Sequence, residues 1–311
     1  MFIILGMKLC IIGPGEKKQK ETDLRLLETA KKHFQSVLYV PYSNISLNID
    51  RETRIRYKNI DLSKFDAILP RIPKGKNLFA YMLLNVLNKY SSVSAHAFLA
   101  THDRFLMFQR LKMQDIPVPK AYFTNSVISA KNFLSEMNFP ISLRLPGTEK
   151  GIMFASSIKE ANTMLDTLGA FKSSIYMEEF TDDNYIQVYV LAGRAIAMLK
   201  RLPKEPHEIF YGKGVGKRIG LSKEMRNLAI SAANSVKADF AMVEMSRKPC
   251  VFNINICPPL IDAMNVTGVK IDQELMGTIK TFGQLAEKPE LSWIARTLRG
   301  ATTIVKDLFE R

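Results

Sequence analysis

The chain is poor in cysteine, with three thiols (Cys10, Cys250 and Cys257) among 311 residues. That excludes a disulfide framework and suggests a reducing compartment. Cys250 and Cys257 stand seven apart with no histidine at ligand spacing, which argues against zinc; both read as buried strand-end thiols. Long apolar runs are also lacking. The first fifteen residues, MFIILGMKLCIIGPG, are broken by Lys8 and carry no basic leader. They make a poor signal peptide and are far too short to cross a bilayer. Met7 is a second candidate start, since MKLCIIGPG alone forms a good strand and turn. A cytoplasmic protein without membrane partners is expected. The opening Gly-Pro-Gly turn at 13–15 lacks three-glycine dinucleotide spacing, so NAD binding is not supported.

Acidic residues are outnumbered, 30 against 44 basic ones, for a net charge of +14. The excess lies in residues 1–100 and 201–311, while the middle third is nearly neutral. The densest basic run, Arg194 to Arg226, holds Lys200, Arg201, Lys204, Lys213, Lys217, Arg218, Lys223 and Arg226. Such a run is either a solvated surface or a contact for RNA, a ribosomal surface or a polyphosphate. Only Phe210 and Tyr211 supply an aromatic pair within it.

At this length two or three lobes are expected. Strands at Lys8–Ile12, Val37–Pro41 and Phe65–Arg71 alternate with helices at Thr22–Phe34 and Phe79–Asn88, the first carrying Leu24, Leu27 and Ala30 at helical spacing. That order predicts an open, mostly parallel sheet over 1–93. From Ala95 the texture changes. A helix, His102–Met113, runs into Ile116-Pro117-Val118-Pro119, whose prolines force extended chain into a strand at Ala121–Thr124. A helix at Ser129–Met137 precedes strands Ile141–Leu145 and Ile152–Ala155, split by PGTEKG, either a phosphate cover or a plain turn. Strand Ser174–Phe180 and a hairpin at 186–200 follow. A glycine-bearing basic loop (201–220) then leads to a helix capped by Ser222. Helices are predicted at 272–284 and 292–309, the last with an apolar stripe at Ile294, Leu298, Ala301, Val305 and Leu308.

The stretch Phe240 to Leu260, FAMVEMSRKPCVFNINICPPL, reads as two short apolar strands around a basic turn. Glu244 lies in the first strand; Asn253 and Asn255 share one face of the second. An unpartnered buried polar group costs roughly 1–3 kcal/mol. These three side chains therefore either bond one another within a core hairpin or serve a metal-phosphate site.

Four stretches in order, FDAILPRI, THDRFLMFQRLKMQDIPVPKAYFT, FPISLRLPGTEKGIMFASS and IYMEEF leading to VFNINICPPL, together resemble the ATP-grasp superfamily. The resemblance is to the RimK-type and glutathione-synthetase-like carboxylate–amine ligases, over residues 7–285. It implies an ATP-grasp fold behind an N-terminal α/β domain with an open, mostly parallel sheet. The implied domains are 1–93, a first lobe at 94–172, a second lobe at 173–287 and a C-terminal amphipathic helix at 288–311. It also implies ATP held between the lobes, magnesium, and an amide bond formed through an acyl phosphate.

By matching position the resemblance places phosphate cations at Arg104 and Arg144 and the glycine-rich cover at Gly147–Gly151 with Lys150. The adenine hinge falls at Glu178, Glu179 and Phe180, with Asp182 or Asp183 near the ribose. The magnesium ligands are Glu244, Asn253 and Asn255, and Arg201 faces the acyl phosphate. The floor departs from the family pattern. Tyr185 and Gln187 replace an aspartate and an arginine, Glu244 replaces an aspartate, and Asn253 replaces the glutamate that bridges two metals. Magnesium usually takes one or two carboxylates besides phosphate oxygens. Losing a unit charge near a cation forfeits roughly 4 kcal/mol at about 4 Å and an effective dielectric of 20. At most one ion is expected. The expected function is a nucleotide-binding, weakly active or non-catalytic relative of these ligases. The alternatives are an active ligase joining an amino acid to a small carboxylate, and an RNA- or ribosome-binding module.

Overall fold

The computed structural model describes residues 6–15, 21–51, 53–145, 151–172, 174–179, 184–204 and 214–286. The chain opens with β1 (Lys8–Gly13), α1 (Glu21–His33) and β2 (Ser36–Pro41). A three-stranded antiparallel excursion follows, β3 (Ile45–Ile49), β4 (Thr53–Tyr57) and β5 (Ile60–Asp61), before β6 (Ala67–Pro70), α2 (Asn77–Leu87) and β7 (Tyr90–Ser91). The parallel sheet runs in the order β2-β1-β6-β7.

β1 is central, and its Leu9, Cys10, Ile11 and Ile12 are all fully buried. A continuous apolar run suits a strand covered on both faces. Cys10 and Ile12 face a core shared with α2, whereas Leu9 and Ile11 face one shared with α1. Acidic residues start α1 and basic residues end it, complementing the helix dipole. Its buried side is Thr22, Asp23, Leu26, Thr29 and Ala30, so Leu24, assigned above to the apolar stripe, is instead 48% exposed.

Two helices, α3 (Ala95–Ala100) and α4 (Arg104–Lys112), lead to a second antiparallel sheet. It contains β8 (Ala121–Thr124), β9 (Ile141–Arg144), β10 (Met153–Ala155) and β11 (Ile175–Glu179), ordered β10-β9-β11-β8 and backed by α5 (Val127–Phe133) and α6 (Ile158–Gly169). Its core, around Leu134, Ile141, Leu143, Leu165 and Met177, is separate from the large core.

The third antiparallel sheet is built from β12 (Tyr185–Leu191), β13 (Arg194–Leu202), β14 (Val215–Arg218), β15 (Phe240–Ser246) and β16 (Cys250–Asn255), in the order β14-β13-β12-β15-β16. α7 (Lys223–Ser235), capped by the Ser222 hydroxyl, α8 (Ile261–Thr267) and α9 (Ile271–Ala286) complete the described chain.

The architecture is α/β, with the parallel sheet and its small antiparallel β3–β5 excursion preceding two larger antiparallel sheets. Ile175–Glu179 pairs with β8 and β9 in the sheet of 121–179. Phe98, Met107, Phe108 and Leu111 of α3 and α4 sit in the large core with Val188 and Val243. α6 and the β3–β5 sheet are absent from the sequence-based expectations, and the 201–220 loop contains the fifth strand of its sheet, β14, paired with β13. The C-terminal helix expected at 288–311 lies outside the described residues.

Candidate functional site

Two buried glutamates, each 2% exposed, lie in adjoining sheets. Glu178 is on β11, opposite Ser142 of β9 and Ala121 of β8. Arg104 reaches it from the first turn of α4. That turn is fixed because the Asp103 carboxylate accepts from the amides of Phe105 (2.7 Å) and Leu106 (3.3 Å). Arg104 clamps Glu178 through Nε and Nη2, the latter at 2.5 Å to Oε1, and its guanidinium lies 5.2 Å from the Phe108 ring centre. The Tyr176 hydroxyl donates to Glu178 Oε2 at 2.9 Å, and Arg144 Nη2 stands 3.8 Å from the same oxygen. Burial by itself would raise the Glu178 pKa. The guanidinium of Arg104, helped by Arg144 and the Tyr176 hydroxyl, overcomes it and holds the carboxyl below its ordinary value.

Glu244 on β15 meets a different environment. Strand register sets Gln187 of β12 opposite it on one side and Asn253 of β16 on the other. Gln187 Nε2 donates to Oε1 at 2.7 Å and Asn253 Nδ2 to Oε2 at 2.6 Å. Arg201 of β13, opposite Tyr185 and thus diagonal to Gln187, donates Nε to Gln187 Oε1 at 2.7 Å. The other end of Arg201 ion-pairs with Asp262 of α8 through Nη1, which also donates to the Gly214 carbonyl at 3.2 Å. Gly214 has φ +117, and a Cβ there would come within 2.8 Å of the Leu202 and Pro203 backbone, so only glycine presents that carbonyl. Burial is the dominant influence on Glu244 and raises its pKa; the bonds from Asn253 and Gln187 and the charges of Arg104 and Arg201 offset this only in part. Arg104 therefore acts on both glutamates.

Asn255 Oδ1 accepts from the Cys257 amide at 2.9 Å, closing a turn into Pro258-Pro259. That turn is tied to the N-terminal sheet. Arg71 donates to the Pro258 carbonyl at 3.0 Å while paired with Asp23 at 2.9 Å, and the Leu260 amide donates to Thr22 Oγ1 at 3.0 Å.

Arg104, Arg144 and Glu178 thus converge on one cluster, and Arg201, Glu244 and Asn253 belong to a second. Arg104 and Glu178, assigned above to phosphate and adenine subsites, are joined in a single ion pair. Glu179 Oε1 accepts from the backbone and side chain of Asn138 at 2.9 and 3.2 Å, holding the segment before β9. Lys150, Phe180, Asp182 and Asp183 lie outside the described residues; of the glycine-rich cover only Gly151, at φ +83, is described. Tyr176 and Asp262 escaped the sequence reading. Tyr176 reads as one more apolar strand position, and Asp262 reaches Arg201 only through the folding of α8.

Magnesium binds hard oxygen ligands. Here Glu244 is a single carboxylate whose two oxygens both face amide hydrogens. Among the described residues no three His, Cys, Asp or Glu side chains group as a metal site. Among the described residues of the β15–β16 hairpin the carboxylate and side-chain amide oxygens are those of Glu244, Asn253 and Asn255. Among the described residues of the basic run, Arg201 is buried and Arg194 pairs with Glu274 at 3.3 Å. No described helix is long and apolar enough to cross a membrane.

The order of sheets and the site between them define an ATP-grasp fold. A RimK domain ATP-grasp protein from Sphaerobacter thermophilus superposes with a TM-score of 0.68 at 13% identity, covering 88% of this chain and 99% of that one. The ATP-grasp ligase PsnB, solved with a minimal precursor, Mg and ADP, superposes at 0.67 and 12% identity, covering 89% of this chain and 98% of PsnB. The RimK-like ATP-grasp domain matches residues 101–279, and the chain belongs to that family. A relative from Aliivibrio salmonicida, named a probable alpha-L-glutamate ligase, is 26% identical over 273 residues, which is 83% of this chain and 89% of the relative.

Proposed function

We propose that this protein binds an adenine nucleotide between its two ATP-grasp lobes and catalyses ligation weakly or not at all. The observation that carries this is the floor of the site. Glu244 is its only carboxylate on the β15–β16 hairpin, both its oxygens are held by amides, and Asn253 stands where the family resemblance implies a bridging glutamate. Electrostatic organisation is usually the largest catalytic contribution, so a neutral side chain at that position removes much of the rate. On the nucleotide side, the family resemblance assigns Arg104 and Arg144 to the phosphates, Glu178, Glu179 and Phe180 to the adenine hinge, Lys150 to the cover and Asp183 to the ribose, with Arg104 and Glu178 paired to each other behind the hinge strand. The test is ADP formation by the purified chain with ATP and magnesium, with and without amino acids or peptides. Nucleotide binding with ADP formation no faster than the blank is expected. Robust amine-dependent ADP formation would overturn the proposal.

A second reading, an active carboxylate–amine ligase, is favoured by the names of the relatives. There Arg201 would stabilise an acyl phosphate while Arg104, Arg144 and Lys150 hold the nucleotide phosphates. L-glutamate is the first amine to test. Loss of the amine-dependent activity in Arg201→Ala would support this alternative, and an unaffected rate would remove Arg201 from it.

A further inference from the structure

The helix α2, far from the ATP-grasp site, has two apolar faces. Its eleven residues, NLFAYMLLNVL, include no charged side chain. One face enters the core, where Ala80, Leu83, Leu84 and Leu87 are buried. The opposite face presents Leu78, Met82 and Val86, stacked at four-residue intervals along the helix and 58, 45 and 39% exposed. A surface helix ordinarily sets polar or charged side chains there. Single exposed apolar residues need no explanation, but a continuous row marks a contact surface.

The sequence supplies an occupant. Residues 287–311 follow α9, and 292–309 carry the apolar stripe Ile294, Leu298, Ala301, Val305 and Leu308 at helical spacing. We infer that this stripe docks on the Leu78–Met82–Val86 row, its helix antiparallel to α2.

The place where α9 ends carries the assignment. Phe282, in its final turns, stacks on Tyr90 of β7 with ring centres 5.8 Å apart, and a Cβ on Gly283 would lie 3.5 Å from that of Ala67 at the start of β6. The sheet order β2-β1-β6-β7 puts β7 at an edge, and only Asn88 and Lys89 separate it from α2. The end of α9 therefore lies beside the C-terminal end of α2. Pro289 breaks the helical pattern there, and extended chain covers roughly 3.3–3.6 Å per residue, so 287–293 can pass around β7 on to α2. Entering from that end, Ile294, Leu298 and Ala301 meet Val86, Met82 and Leu78 in turn. At about 1.5 Å per residue the two rows are roughly 10 and 12 Å long, close enough to stay in register. A second copy of the chain is a poorer occupant. Three side chains fall well short of the roughly 800 Å² per partner of a stable interface, whereas a tethered segment acts at an effective concentration of about millimolar.

The experiment is disulfide trapping in the full chain. Met82→Cys is combined in turn with Leu298→Cys and Ala301→Cys, oxidised with diamide and mapped by peptide mass spectrometry. A disulfide within one chain is expected, strongest with Leu298→Cys and formed at a yield independent of protein concentration. Met82→Cys with Arg296→Cys, which sets the second thiol on the far side of the segment helix, should give none. No link in either test pair, an equal yield in the control pair, or a link between two chains would each overturn the inference, the last by giving the row to a second copy. Trp293, the only tryptophan of the chain, adds a readout without thiols. Met82→Asp, with circular dichroism confirming the fold, should shift its emission to the red and increase its quenching by acrylamide. Emission and quenching unchanged from the wild type would overturn the inference.

Discussion

Glu178 and Glu244 are equally buried and both influenced by Arg104, yet their environments push them in opposite directions. Glu178 is clamped by a guanidinium and held below its ordinary pKa; Glu244 is met by two neutral amides and raised above it. Burial acts alike on both. A full charge in direct contact offsets desolvation where amide dipoles do not: Glu178 touches a guanidinium, and Glu244 reaches Arg201 only through Gln187.

Removing the clamp should have the largest effect. Arg104→Ala leaves a buried carboxylate without its bidentate partner, and a loss of about 3–5 kcal/mol in chemical denaturation is expected. A loss below about 1 kcal/mol would mean that Arg144 and Tyr176 suffice, erasing the distinction between the clusters. Glu178→Gln leaves the buried Arg104 guanidinium without its carboxylate, and a comparable loss of about 3–5 kcal/mol is expected. Its signature is in pH. With a folded pKa below the unfolded value near 4.5, Glu178 contributes stability above that value, and the contribution fades as pH falls through the folded pKa. The variant should lack that acid-limb loss, and an unchanged acid limb would place the pairing elsewhere.

Glu244→Gln gives the smallest effect, with the opposite slope. Because its folded pKa lies above the unfolded value of 4.5, ionising Glu244 opposes folding. Wild-type stability should therefore lose a contribution as pH rises from 4.5 through the raised pKa, and the variant should not. A variant that tracks the wild type across that range would show that Glu244 is not raised.

Much of this was legible in the residues. The unbroken apolar run at Leu9–Ile12 announces a strand covered on both faces, and all four residues are fully buried. Alternation around Glu244 and around Asn253 and Asn255 locates a hairpin whose polar side chains need partners. Other features were hidden. α1 buries Leu26 rather than Leu24 because Asp23 turns inward to Arg71, a contact 48 residues away. The helix Ile158–Gly169 follows the loop around Gly151, where glycine and lysine drew attention to a phosphate cover instead.

The α/β class and the three polar positions on the β15–β16 hairpin are written in neighbouring residues, as local periodicity and strand signals. The partners of those residues come from the folded chain. Arg104 and Glu178 are 74 residues apart and Gln187 and Glu244 are 57 apart. Which buried carboxylate meets a cation and which meets an amide depends on strand register and on where α4 docks, and no local pattern carries either.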